Sequence, residues 1–239
     1  MIIEFTGCSG SGKTTMADHL VDKLRSDGCI VRLGSGKRSR QSGNQTLDNI
    51  RWDLRSHRIL KKSHREYRDY LKYSFLRMRA QSSTPFMKLI IMRSIVRKAL
   101  VYHSLRNGCN DGEYGIIDEG TIHAAHVLFT NPMAYYNRDD LTAFVGVAPL
   151  PDVIVHVVAK TETIVERTMR RKDPPWRFKE KSDVIAFVSK TQTMYHELMS
   201  DPKLSSRMIC INGDSECECE VERLYKVVRD MQKKGAAAQ

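Results

Sequence analysis

Apolar residues along this chain follow two patterns. Short apolar runs stand at Ile2–Thr6, Cys29–Leu33, Gly115–Asp118, Val153–Val158 and Met208–Ile211, and most are separated by stretches in which apolar positions return every three or four residues. The first pattern suits strands buried on both faces and the second suits the helices that cover them, so the alternation predicts a parallel sheet with helices on both sides. Between about 45 and 107 the strand signal vanishes. There Leu47, Ile50, Leu54, His57, Leu60, His64, Tyr67, Leu71, Phe75 and Met78 predict a long helix, broken at most once. Ser83-Thr84-Pro85 stops it, with Thr84 expected to cap and Pro85 to open a second helix whose apolar side is Phe86, Leu89, Ile90, Ile95, Val96, Ala99 and Leu100. Arg93, Arg97 and Lys98 interrupt that side too often for a membrane span, and a basic helix packed on the core is favoured over one lying on a membrane surface.

With 239 residues, 41% of them apolar and 28% charged, the chain has material for one core, and a single domain over 1–239 is expected. The charge is lopsided. Lys and Arg number 39 against 28 Asp and Glu, and residues 51–106 alone hold 15 basic and 3 acidic side chains, a net charge of +12. An anionic partner or substrate is therefore expected to meet the helical segment. Six cysteines at 8, 29, 109, 210, 217 and 219 show neither paired zinc-knuckle spacing nor the density of a disulfide scaffold, which predicts reduced thiols and a cytoplasmic setting. The opening Met-Ile-Ile-Glu-Phe-Thr-Gly lacks the charged and apolar stretches of a secretory signal.

Chemistry enters at the end of the first strand. Gly7-Cys8-Ser9-Gly10-Ser11-Gly12-Lys13-Thr14 matches G-x4-G-K-T, and Met16, Ala17, Leu20, Val21 and Leu24 continue it as a helix. Glycines let the backbone N–H groups of such a loop converge on phosphate oxygens at a helix N-terminus, Lys13 supplies a cation, and Thr14 offers a hydroxyl to Mg²⁺. A nucleoside triphosphate is the expected ligand, held by Gly7, Ser9, Gly10, Ser11, Gly12, Lys13, Thr14 and Thr15.

The loop GCSGSGKTT, the strand-end acid in GIIDEG, the strand in PLPDVIVHV and the arginines of ERTMRRK together resemble the P-loop nucleoside and nucleotide kinases, thymidylate kinases most of all. The resemblance covers residues 1–35 and 113–215. It implies a three-layer α/β fold whose five-stranded parallel sheet runs 2-3-1-4-5, ATP and Mg²⁺ as cofactors, and dimerisation through a helix. It also implies roles for individual residues. Asp118 would orient the metal or take a proton, and Glu119 stands where thymidylate kinases carry arginine. Arg167, Arg170 and Arg171 would form a lid over the phosphates, spanning about 167–180, with Lys172-Asp173-Pro174-Pro175-Trp176 at its tip. Asn212 and Gly213 would hold the edge of the base.

Two acceptor classes remain open from the residues. A phosphate acceptor needs cations, for which Lys37, Arg38 and Arg40 are candidates, and this nucleoside monophosphate kinase-like reaction is the first expectation. A hydroxyl acceptor needs a positioned carboxylate, which Asp118-Glu119 offers. A nucleoside, an acidic sugar and a polynucleotide 5′-hydroxyl end all belong to the second class, and Trp52, Tyr67, Tyr70 and Tyr73 could stack bases. A nucleotide-sensing switch without turnover is the alternative from another class, disfavoured by the arginine lid.

Overall fold

The computed structural model describes residues 1–34, 65–81, 83–130, 134–171, 178 and 180–237. Lys37, Arg38, Arg40, the expected helix before residue 65 and the lid tip at 172–176 lie outside them. Among the described residues, β1 (Ile2–Gly7), β2 (Val31–Leu33), β3 (Tyr114–Asp118), β4 (Val153–Val158) and β5 (Met208–Asn212) form one sheet in the order β2-β3-β1-β4-β5. Every pairing is parallel, with Phe5 opposite both Asp118 and Val155. This is the expected order. Each run of the apolar pattern becomes a strand within two residues of its expected ends. β2 starts late because Cys29 donates its N–H back to Leu24 O in the turn that leaves the preceding helix.

Nine helical segments surround the sheet among the described residues: α1 (Lys13–Ser26), α2 (65–79), α3 (Pro85–Gly108), α4 (Ala124–Phe129), α5 (Arg138–Val147), α6 (Thr161–Met169), α7 (Lys181–Met199), α8 (Pro202–Ser205) and α9 (Cys217–Ala237). The two-residue period of a strand divides the core. Ile3 and Phe5 of β1 pack with Met16, Leu20 and Leu24 of α1 and Leu224 and Val228 of α9. Ile2 and the loop residue Cys8 join the other cluster, with α2 through α7. Glu4 and Thr6 share the parity of Ile2 and are fully buried, so β1 carries two polar side chains into the second layer.

Over its described residues the helical segment follows the expected elements but not wholly the expected faces. Thr84 caps α3, its hydroxyl accepting from Met87 N, with Pro85 in the first turn. Tyr67, Tyr70 and Met78 of α2 are buried, as are Ile91, Ile95, Ala99, Tyr102 and Leu105 of α3. Phe75, Phe86, Leu89 and Ile90 are exposed instead of buried. A helix of 24 residues is about 36 Å long, whereas the five residues of β3 cover only about 17 Å, so the first turns of α3 run past the sheet it covers. Lys98, one of the basic residues that interrupt the apolar side, is buried. Among the described residues no helix is long and apolar enough to cross a membrane.

Candidate active site

The C-terminal ends of β1, β3 and β4 point the same way, and ligands of open parallel sheets gather at that edge. β1 ends at Gly7 and the chain turns through Cys8–Gly12 into α1. Gly12 stands before the helix with φ 101° and provides no side-chain cap. A helix start without a side-chain cap favours an anion, and the helix dipole adds to the attraction. Lys13 folds back across the loop, Nζ donating to Cys8 O at 2.8 Å, and is only 4% exposed. Cys8 is buried beneath the loop, and burial pushes its thiol up to about 12, so it stays protonated.

Thr14 points to the end of β3, where its hydroxyl donates to Asp118 Oδ2 at 2.8 Å. Two hard oxygen ligands meet there beside the open end of α1, the donor set that Mg²⁺ takes when it shares its remaining positions with phosphate and water. Glu119 follows in a left-handed conformation, φ 67°. Its carboxylate lies 3.9 Å from Lys13 Nζ and 3.7 Å from His123 Nε2. Adjacent acids therefore have different neighbours: Asp118 faces the threonine, and Glu119 faces the lysine.

His123 belongs to a buried polar chain that starts on β1. Thr6 Oγ1 donates to Tyr195 OH at 3.1 Å, and Tyr195 OH lies 2.8 Å from His123 Nδ1. With its own oxygen accepting from Thr6, Tyr195 donates to Nδ1, which leaves the ring proton on Nε2 facing Glu119. Burial lowers the His123 pKa well below the ordinary histidine range, so the ring is neutral. His126 stacks on it with ring centroids 5.1 Å apart, and burial pulls that ring down to about 3. Glu4 underlies the turn after β3, accepting from His123 N at 2.8 Å and from the Thr121 hydroxyl at 3.3 Å.

The lid arginines divide. Arg167 donates from both terminal nitrogens to Gly213 O, at 3.1 and 3.2 Å, and Arg171 donates to Ser9 Oγ at 2.6 Å. Both line the cleft, Arg167 from the last turn of α6 and Arg171 from just beyond its end. Arg170 does not join them. It pairs with Glu166 at 2.6 Å on the outer face of α6, its side chain 76% exposed. Gly213 touches the phosphate loop, for a Cβ there would lie 2.0 Å from Ser11 O. Asn212 is turned away, its side-chain oxygen accepting from Asp214 N at 3.0 Å.

A cleft of about 440 Å³ opens here, lined by Gly10, Gly12, Lys13, Thr14, Thr15, Met16, Glu119, Arg167, Arg171, Gly213, Ser215 and Cys217. That volume lies within the roughly 300–1,000 Å³ usual for small-molecule sites. Gly10, Gly12, Lys13 and Thr14 bring the glycine loop into this lining, and Met16, Ser215 and Cys217 add a mixed, partly apolar part of the wall. The motif alone pointed to the loop. It did not point to Glu4, Lys98, His123, Tyr195, Ser215 or Cys217, whose roles depend on contacts between distant segments. A charged residue inside the apolar run of β1 was the available signal for Glu4.

No family model matches the sequence, and no curated protein matches it. Solved structures do resemble the chain. The thymidylate kinase of Candida albicans superposes with a TM-score of 0.56 at 16% identity, over 97% of this chain and 92% of that one. Deoxyadenosine kinase from M. mycoides, in a structure with dCMP and dCDP bound, gives 0.54 at 12% identity over 96% of this chain and 100% of that one. The same enzyme with dATP bound gives 0.52 at 11% identity, again over 96% and 100%. The fold is that of the P-loop nucleoside and nucleotide kinases.

Proposed function

We propose that this chain is a Mg·ATP-dependent phosphotransferase that moves the γ-phosphoryl group of ATP to a small acceptor. The observation that carries the reading is the hydrogen bond from Thr14 to Asp118 at the uncapped start of α1, where Lys13 and Thr14 line the cleft. The loop amides and Lys13 would hold the β- and γ-phosphates, and Thr14 and Asp118 would hold the metal. Magnesium bound there supplies positive charge to the phosphate oxygens as the group transfers. Arg167 and Arg171 stand where they can shield that charge from water, while the base rests against Gly213, Ser215 and Cys217. The lid at 167–180 and the helical insertion at 45–107 then serve the donor and the acceptor respectively, within one kinase domain over 1–239. A cytoplasmic setting accords with this chemistry, because ATP and magnesium are abundant there.

The division of the two acids favours a hydroxyl acceptor. Asp118 is engaged with Thr14, whereas Glu119 presents a carboxylate beside Lys13, where an acceptor hydroxyl would be oriented and relieved of its proton. An acidic group elsewhere on the acceptor would suit Lys37, Arg38 and Arg40. A small anionic molecule with a free hydroxyl, such as a nucleoside-like compound or an acidic sugar, combines both features, with a polynucleotide end as the larger variant. The second reading is a phosphate acceptor of nucleoside monophosphate type, supported by the +12 charge of residues 51–106 and by the fold shared with thymidylate kinase.

Transfer from labelled ATP with Mg²⁺ to nucleosides, nucleoside monophosphates, acidic sugars and 5′-hydroxyl oligonucleotides tests these readings, with Lys13→Ala as the blank. Transfer to hydroxyl compounds alone supports the first. Transfer to monophosphates supports the second. ATP bound tightly with transfer to none of the classes would refute both in favour of a nucleotide-sensing switch.

A further inference from the structure

Lys98 lies on the sheet-facing side of α3, at helical spacing from Ile91, Ile95, Tyr102 and Leu105, and is 9% exposed. Burying an amine there is costly, since an apolar side chain of the same length would pack at less expense. Burial also lowers its pKa below the ordinary lysine range, although charged and neutral amines both keep an N–H to donate. That donor reaches one main-chain atom, the carbonyl oxygen of Glu119, at 2.5 Å.

The carbonyl belongs to a strained turn. Among the described residues Glu119 alone, apart from glycines, has a positive φ, and a left-handed conformation costs an ordinary side chain about 1–2 kcal/mol. The next residues are held from beneath by Glu4, which accepts from His123 N and the Thr121 hydroxyl. Gly120 makes that approach feasible, because a Cβ there would stand 2.5 Å from Glu4 Oε2. Lys98 thus holds the turn by its first carbonyl while Glu4 holds its later donors. In that conformation the Glu119 carboxylate faces Lys13 and His123.

We propose that Lys98 is a positioning residue, which fixes Glu119 through its carbonyl in the left-handed conformation that directs the carboxylate at the transferring phosphoryl group and its acceptor. The proposal rests on the phosphotransferase reading of the cleft. Lys98 acts through Glu119 and needs no contact with substrate.

A double-mutant cycle tests it, using an acceptor that the panel identifies. Misplacing a reacting group by about 1 Å can cost roughly 100-fold, so Lys98→Met is expected to lower kcat by about 10- to 100-fold with the KM for ATP nearly unchanged. Glu119→Gln is expected to lower kcat at least as much. The double variant should match Glu119→Gln alone, because Lys98 has then lost the group it positions. Multiplicative losses would overturn the proposal. Lys98→Gln keeps an N–H donor and should recover part of the lost rate; recovery no better than Lys98→Met would count against it. Amide exchange at 118–123 gives a readout without turnover. Lys98→Met should speed exchange there and leave Gly12–Thr15 unchanged, and unaltered exchange at the turn would also overturn the proposal. Should wild-type protein transfer phosphate to no acceptor, the kinase reading fails separately, and the exchange result alone decides whether Lys98 holds the turn.

Discussion

Replacing Gly213 by alanine places a methyl group between two backbones that already touch. The new Cβ would lie 2.0 Å from Ser11 O and 3.2 Å from Val157 Cγ1. Against an ordinary separation near 3.5 Å, the phosphate loop and the β5–α9 turn must part by roughly 1.5 Å. No side-chain rotation can absorb this, because the nearest obstacle is a main-chain oxygen. Gly213 N also donates to Val158 O at 2.6 Å, which ties the turn to β4 and directs the displacement toward the loop. Overpacking of this kind costs about 1–3 kcal/mol of stability, and a shift near 1 Å in groups that orient a substrate can cost about 100-fold in rate. Calorimetric titration with Mg·ATP, paired with urea unfolding, is the assay. ATP affinity is expected to fall at least tenfold, a loss of about 1.4 kcal/mol. Gly146→Ala is the control, since nothing lies within 4 Å of a Cβ at that position in α5. It should stabilise the fold by about 0.5–1 kcal/mol and leave ATP binding unchanged. Wild-type ATP affinity in Gly213→Ala would refute the close approach of turn and loop as a part of the site.

Three further outcomes follow from the same structure. Lys13→Ala should lower phosphoryl transfer by at least about 100-fold with an unchanged circular dichroism spectrum; turnover near wild type would refute the cradle. Arg171→Ala should cost at least tenfold more transfer than Arg170→Ala, because Arg171 donates to the loop while Arg170 makes an exposed i, i+4 pair worth about 0.3–0.5 kcal/mol; equal losses would show that the lid does not use the observed face. Burial raises the Glu4 carboxyl from 4.5 to about 6. Its folded pKa therefore exceeds the unfolded one, so its contribution is fully present below pH 4.5 and lost as pH rises through 6, a change of about 2 kcal/mol. In Glu4→Gln this dependence disappears, and the stability of wild type relative to the variant should fall by about that amount between pH 4.5 and 7.5 in urea unfolding. A constant difference would refute the buried carboxyl as its source.

The sequence carried the sheet because strands buried on both faces leave unbroken apolar runs, and α1 because a glycine loop before helical spacing has a local physical reason. It carried the helical segment less well. Spacing identified α3 and its Thr84 cap, but periodicity does not register how far a helix extends past its sheet, so Phe86, Leu89 and Ile90 read as core and lie exposed. Lys98 was read from its charge, although its spacing from Ile91, Ile95 and Tyr102 already put it on the buried side. His123 and Tyr195 were not legible in any local pattern. They stand 72 residues apart and meet through a hydrogen bond and a tilted ring contact.

Asp118, Glu119 and Gly120 show why two adjacent acids are not interchangeable. Asp118 is the last residue of an extended strand paired with β1, so its side chain reaches the start of α1 and meets Thr14. Glu119 leaves the strand in a left-handed conformation, which separates its carboxylate from that of Asp118 and turns it toward Lys13. Gly120 is fixed by a third constraint, the carboxylate of Glu4 beneath it. Exchanging Asp118 and Glu119 would preserve charge and composition, yet it would put the longer acid on the strand beside Thr14 and the shorter one in the turn, out of reach of the same partners. Backbone conformation, rather than acidity, therefore divides the acid that meets Thr14 from the acid that faces Lys13. A buried lysine of α3 that donates to the Glu119 carbonyl bears on that same backbone conformation, and through it on the direction of the acid.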